Sequence, residues 1–256
     1  MKKAILFLLT LFFVTSFGQK IQFKTTLKVT YNASLQLGEK FRREQQFVLI
    51  GNSRDYYFSG YHNYLSDTDQ DGKQTKKSGV SLSIADYLEE RILKSDGITN
   101  IFGKYGDSKF RYEENTDVRW VLYSDTKVIN GVKCQMAATN KYGRRWIAYF
   151  SKEYSQSLGP YKFNGLPGLI FELYDTRDDY HFTVAKVEKD ENNYEFNLKG
   201  YKKLSKKDFF KATYNLEYTL AAFPPIDDSD FRKQTQEILD KKKIMNNNPL
   251  ELKPFE

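Results

Sequence analysis

Ile21-Gln22-Phe23-Lys24-Thr25-Thr26-Leu27-Lys28-Val29-Thr30-Tyr31 decides the class of fold. Ile21, Phe23, Thr25, Leu27, Val29 and Tyr31 fall on one side, and Gln22, Lys24, Thr26, Lys28 and Thr30 on the other. Side chains of an extended chain alternate between faces, so this run is a half-buried strand with one wet face. Downstream, Gln46–Ile50 ends at Gly51-Asn52 and Tyr56-Tyr57-Phe58 follows, which reads as a hairpin. Strand signals recur at 118–122, 132–139, 146–150, 169–174, 180–187 and 194–198. Turns such as Asn130-Gly131, Tyr142-Gly143 and Glu191-Asn192-Asn193 separate most of them. Close strands joined by short turns predict an antiparallel meander. Aromatics make up 16% of the chain, and bulky rings suit strands better than helices.

Three stretches depart from this pattern. Ser83 opens a segment with Ile84, Leu88 and Ile92 four apart, which predicts an inserted helix over 83–94, with Ser83 and Asp86 at its start. Ser205 starts a second helix bearing Phe209, Phe210, Tyr214 and Leu216. After Pro224-Pro225, residues 228–244 read as a third, with Phe231, Thr235, Ile238, Leu239 and Met245 on one side. Lys241-Lys242-Lys243 closes it where positive charge suits a helix C-terminus. The expected fold is therefore mainly β (α+β): a single curved antiparallel sheet or partly open barrel, one inserted helix and two C-terminal helices.

The first residues carry an address. Lys2 and Lys3 precede an uncharged apolar run from Ala4 to Val14, and small residues Ser16 and Gly18 follow. This is the three-part layout of a secretory signal, read as residues 1–18. The run is short of the roughly 20 apolar residues a spanning helix needs, so no membrane span is expected after cleavage. No Cys lies near the cleavage point, so the chain is not read as a lipoprotein. The expected organisation is one β-rich domain over 19–246 and a loose tail over 247–256, located in the periplasm or outside the cell. Taking away Lys2 and Lys3 lowers the net charge from +7 to +5. That is mildly basic, and the lysines around 199–207 lack the stacking aromatics of a nucleic-acid reader, so no nucleic-acid partner is expected.

Candidate chemistry is sparse. Asp67-Thr68-Asp69-Gln70-Asp71-Gly72 has the D-x-D-x-D-G opening of a calcium loop. Alternate carboxylates at Asp67, Asp69 and Asp71 can converge on a hard cation, but Ser78 stands where the bidentate Glu belongs, and Lys73, Lys76 and Lys77 crowd the loop. The other reading is a solvated acidic turn, and no other cofactor is implied. Arg144 and Arg145, with Glu172 and Asp175 on a neighbouring strand, form either an anion-binding pair or a cross-strand ion pair. Cys134 is the lone cysteine, read as a small buried hydrophobe. His62 and His181 have no partner at metal-ligand spacing, and neither H-E-x-x-H nor G-x-S-x-G occurs. No catalytic residue is assigned.

The stretch Gly165-Leu166-Pro167-Gly168-Leu169-Ile170 is a tight corner feeding a strand. It resembles, letter for letter, the signature of the GLPGLI family of exported Bacteroidetes proteins, a family of unknown function. Asn130–Gln135 and Arg144–Phe150 resemble that family's pattern as well. The corner is also similar in style to outer-membrane lipoprotein carriers, in which a curved sheet wraps helices around an apolar groove. The resemblance implies an exported envelope protein but no activity; the enriched Tyr and Phe, which would line a core or a groove, favour a non-enzymatic role, binding an apolar or peptide-like ligand or a partner protein. Competing classes are a hydrolase whose carboxylates are brought together by the fold, and a structural accessory of outer-membrane machinery.

Overall fold

A computed structural model describes residues 20–68 and 86–255. Strands take 47% of the described residues and helices 18%, so the class is mainly β. The strands in chain order are β1 (Lys20–Lys24), β2 (Leu27–Gly38), β3 (Phe41–Gly51), β4 (Tyr56–Gly60), β5 (Arg91–Ser95), β6 (Ile98–Tyr105) and β7 (Ser108–Glu114). They continue as β8 (Val121–Ile129), β9 (Val132–Lys141), β10 (Arg144–Ser151), β11 (Leu169–Asp175), β12 (Tyr180–Lys189), β13 (Asn193–Asn197) and β14 (Lys202–Lys203). Three α-helices lie among the described residues: α1 (Tyr61–Asp67), α2 (Lys206–Tyr218) and α3 (Ser229–Met245). One sheet holds twelve strands in the order β14-β7-β6-β5-β4-β3-β2-β12-β11-β10-β9-β8. It is antiparallel except for the short β14–β7 pair, and it does not close into a barrel.

The opening alternation keeps its phase but serves two sheets. The chain bends at Thr25-Thr26: β1 pairs with β13 as a separate two-stranded sheet, while β2 runs between β3 and β12. Leu27, Val29, Tyr31, Ala33 and Leu35 of β2 point into the main core. Phe23 instead joins a smaller core on the other face, with Val48, Ile50, Tyr57, Leu93, Phe102, Tyr194 and Phe196. Because both faces are covered here, β3 is buried at every position from Phe47 to Gly51. Phe47 and Leu49 face the main core, Val48 and Ile50 the smaller one.

Two expectations are corrected. The inserted helix is α1 at Tyr61–Asp67, and Arg91–Ser95 of the region predicted as helix is strand β5. Ile92 faces the main core and Leu93 the smaller one, each packed by a different layer. The part of that prediction at Ser83 and Ile84 lies outside the described residues. The C-terminal segment is also not loose, since Leu250 and Glu251 are buried. The two late helices start as expected: the Ser205 side chain caps α2 through the Asp208 N–H, and Asp228 caps α3 through the Phe231 N–H. On α3, only Thr235 and Leu239 are buried, and Phe231, Ile238 and Met245 are exposed.

Candidate functional site

On the main-core side of the sheet, a cavity of about 630 Å³ opens beneath α2, α3 and the C-terminal segment. Strands supply Leu37, Tyr105, Tyr112 and Tyr180, and the corner before β11 supplies Tyr161. From α2 come Phe209, Phe210, Thr213, Tyr214, Glu217 and Tyr218, while Lys243 comes from α3. Tyr87 to Glu90, leading into β5, and Asn246 to Leu252 complete the wall.

One wall of the cavity rests on a buried charge network. Lys162 is fully buried, and its Nζ donates to Tyr112 Oη at 2.9 Å, Glu114 Oε2 at 2.7 Å and Glu251 Oε1 at 2.5 Å. Tyr161 donates to the same Glu251 oxygen at 2.7 Å, and Lys206 to Glu114 Oε1 at 2.6 Å. Burial works to push the Lys162 ammonium down, but the carboxylates of Glu251 and Glu114 hold it above its ordinary range. Burial would likewise raise the Glu114 carboxyl, yet Lys162 and Lys206 keep it below its usual value. Both shifts favour the charged forms, so this is an ion-paired network.

Two other acids of the cavity behave differently. Burial, with Glu217 and Glu90 nearby, pushes the Glu89 carboxyl up to about 7. Glu90 is raised as well, chiefly by burial. Glu217 is paired with Lys242 at 3.6 Å. Among the described residues, neither Glu89 nor Glu90 has an ion-pair partner.

The residues singled out in the sequence lie elsewhere. The Gly165–Ile170 corner is structural: Gly165 and Gly168 take φ values of +88° and +148°, and Leu166, Leu169 and Ile170 are buried. Its N–H groups are bonded inward, Leu169 to Tyr154 O and Ile170 to Leu158 O, and Tyr31 Oη donates to Ile170 O at 2.7 Å. Arg144 is buried and fully engaged. It donates to Asp175 at 3.0 Å, Asp179 at 2.6 Å, Asn248 at 2.7 Å, and the carbonyls of Pro249 and Leu250 at 2.8 and 2.9 Å. All five of its N–H donors are thus bonded within the fold. Arg145 is exposed, with Tyr123 Oη at 3.4 Å.

Asp67 is engaged too, accepting from Arg91 Nε at 2.6 Å and Tyr57 Oη at 2.5 Å. Asp69 and Asp71 lie outside the described residues, and among those described no cluster of three or more metal-ligating side chains occurs. Cys134 is buried, and burial pushes its thiol up to about 11, which makes it a poor nucleophile. His181 stands on the wet face of β12, where a hydrogen bond to Glu172 at 3.0 Å raises its pKa. No described helix is long and apolar enough to cross a membrane. Sequence reading missed Lys162, the adjacent Glu89 and Glu90, Glu217 and Glu251, which come from four separate segments with no spacing to link them.

No family profile and no curated protein matches this chain. Among solved structures, PNGF-II in its P21 and C2 crystal forms aligns with TM-scores of 0.56 and 0.55, at 13% and 14% identity. The alignments cover 75% of this chain but only 34% and 33% of PNGF-II, so the chain spans about a third of that protein. At such identity the likeness is one of fold alone. The LolA superfamily protein NE2245 from Nitrosomonas europaea aligns with a TM-score of 0.27 at 6% identity, over 66% of this chain and 87% of that one. A match that low carries no argument.

Proposed function

We propose that this protein is an exported binding protein of the GLPGLI type whose cavity holds an apolar or peptide-like ligand. The observation that carries the reading is the cavity itself: about 630 Å³, with seven tyrosines and two phenylalanines in its wall, between the sheet and α2. Pockets for small ligands run from about 300 to 1,000 Å³, with apolar walls and few polar groups. Tyrosine suits such a wall because it offers a rigid apolar face and a polar tip. Native mass spectrometry of the protein purified from its own host tests the reading. The expected result is a bound mass released on denaturation; a ligand-free protein that also takes up no apolar probe overturns it.

A second reading, a hydrolase, draws on one observation: a Glu89 carboxyl near 7 beside Glu90 suits proton transfer at neutral pH. It ranks lower because burial and the neighbouring acids already account for that shift. Turnover of chromogenic ester or glycoside substrates that disappears in both Glu89→Gln and Glu90→Gln would favour it.

A further inference from the structure

The cavity has a charge balance that the binding reading does not use. Four carboxylates line it, Glu89, Glu90, Glu217 and Glu251, against one lysine, Lys243. Lys243 donates to Tyr214 Oη at 2.7 Å. Glu251 answers Lys162 and Glu217 answers Lys242, which leaves Glu89 and Glu90 with no ion-pair partner among the described residues. The Glu251 side chain is only 4% exposed, and among the described residues its Oε2 has no hydrogen-bond donor, with Lys206 3.6 Å away. Buried acceptors normally find donors, so this wall has acceptor capacity left over. The same cavity is lined by the rings of Tyr105, Tyr112, Tyr161, Tyr180 and Tyr218. Burial raises all of these phenols, so each ring stays neutral and its face electron-rich.

We infer that the cavity takes a small amphipathic cation, an ammonium group on an apolar body, with Glu89 and Glu90 facing the charge and the tyrosines enclosing the rest. The inference rests on the binding reading above and names its ligand class. An ammonium is attracted both by carboxylates and by aromatic faces. Neither an anion nor a neutral lipid makes use of unpaired carboxylates.

The arrangement makes affinity depend on pH. The charged groups around Glu89 are Glu90 and Arg91 along the chain, Glu217 on α2 and Lys242 on α3. Glu90 also feels Lys162, Glu217 and Glu251. With its carboxyl at about 7, Glu89 is mostly protonated at pH 5.5 and mostly ionised at pH 8. A bound cation favours the ionised form, so binding expels a proton and tightens as pH rises.

Two single-tail probes, dodecyltrimethylammonium and dodecanoate, separate the outcomes by calorimetry on the full chain below micellar concentrations. The first carries a fixed charge, so its own titration does not enter. The expected result at pH 8 is ammonium binding at least about tenfold tighter than dodecanoate, weakening by about tenfold at pH 5.5. Glu89→Gln flattens that dependence, and Glu195→Gln, exposed on β13, leaves it unchanged. Equal binding of both probes, tighter dodecanoate, or an unaltered pH profile in Glu89→Gln overturns the inference while the binding reading stands. Failure of both probes to bind counts against both.

Discussion

Lys162 Nζ lies 2.5 Å from Glu251 Oε1, two buried side chains 89 positions apart in the chain. Lys162 sits just before the Gly165–Ile170 corner, and Glu251 belongs to the last turn of chain over the cavity. With Glu114 at the end of β7, this pair ties the corner, the β7 side of the sheet and the C-terminal segment to one another. A buried ammonium is tolerable only because its three donors all meet acceptors.

Lys162→Met therefore removes more than a contact, because it strands the Glu251 carboxylate in the core and halves the cation supply to Glu114. Breaking one side of a buried pair costs about 3–5 kcal/mol. The expected urea midpoint of Lys162→Met is well below that of the parent. Adding Glu251→Gln should recover part of the loss, since the stranded charge goes with it. A double variant no more stable than the single one would show that the loss is packing rather than charge.

Arg144 makes the same argument for the C-terminus. Three of its acceptors, Asn248 Oδ1, Pro249 O and Leu250 O, lie within the final nine residues. Asn248 also ties down β2, its side chain donating to Gln36 O at 2.7 Å. Ending the chain after Asn247 leaves a buried guanidinium short of partners, which is expected to cost about 3 kcal/mol or more. Ending it after Lys253 removes only Pro254, the exposed Phe255 and Glu256, and is expected to cost about 1 kcal/mol or less. Paired chemical denaturation curves check both lengths, and equal stability would contradict the role given to residues 248–251.

These two cases show where the sequence was readable. The strand register was plain, since Leu27, Val29, Tyr31, Ala33 and Leu35 alternate onto a single core. Even the bend at Thr25-Thr26 keeps that phase, which is why Ile21–Tyr31 looked like one strand. Arg91–Ser95 was not readable, because Ile92 and Leu93 are buried in different layers. A strand covered on both faces loses its alternation and shows a plain apolar run, which a helix fits equally well. The last ten residues, with two Asn and two Pro, carried no periodic signal, because their order comes from Arg144 and Lys162 far away in sequence. The cavity was hidden for the same reason: Glu89, before β5, and Glu217, on α2, come together only in the folded chain.

The two motif glycines make a sharper test of the corner. A methyl at Gly168 would sit 2.1 Å from Ser151 O, a backbone atom that cannot step aside. At Gly165 no atom of the described residues lies within 4 Å, and the left-handed backbone is what resists substitution. Gly165→Ala is thus expected to cost about 1 kcal/mol. Gly168→Ala adds a backbone clash at the entry to β11 and is expected to cost upward of about 3 kcal/mol. Thermal melts of the two variants rank them, and similar losses would mean that backbone conformation rather than close approach selects Gly168.

Glu89 offers a test of the cavity that needs no ligand. Its carboxyl is raised by burial and by Glu217 and Glu90, from 4.5 to about 7. The folded protein therefore holds a proton that the unfolded chain releases. The stability this provides is complete below about pH 4.5 and is lost as pH rises through 7. A shift of this size corresponds to at most about 3 kcal/mol, and water in the cavity reduces it to about 1–2 kcal/mol. Glutamine mimics the protonated acid at every pH. Glu89→Gln should accordingly melt with the parent at pH 4, and by pH 8 melt about 3–6 °C higher. The other ionisable groups are common to both proteins, so their contributions cancel in the difference. A stabilisation of equal size at both pH values would mean that Glu89 is not held protonated by its surroundings, and the cavity would lose its pH-responsive acid.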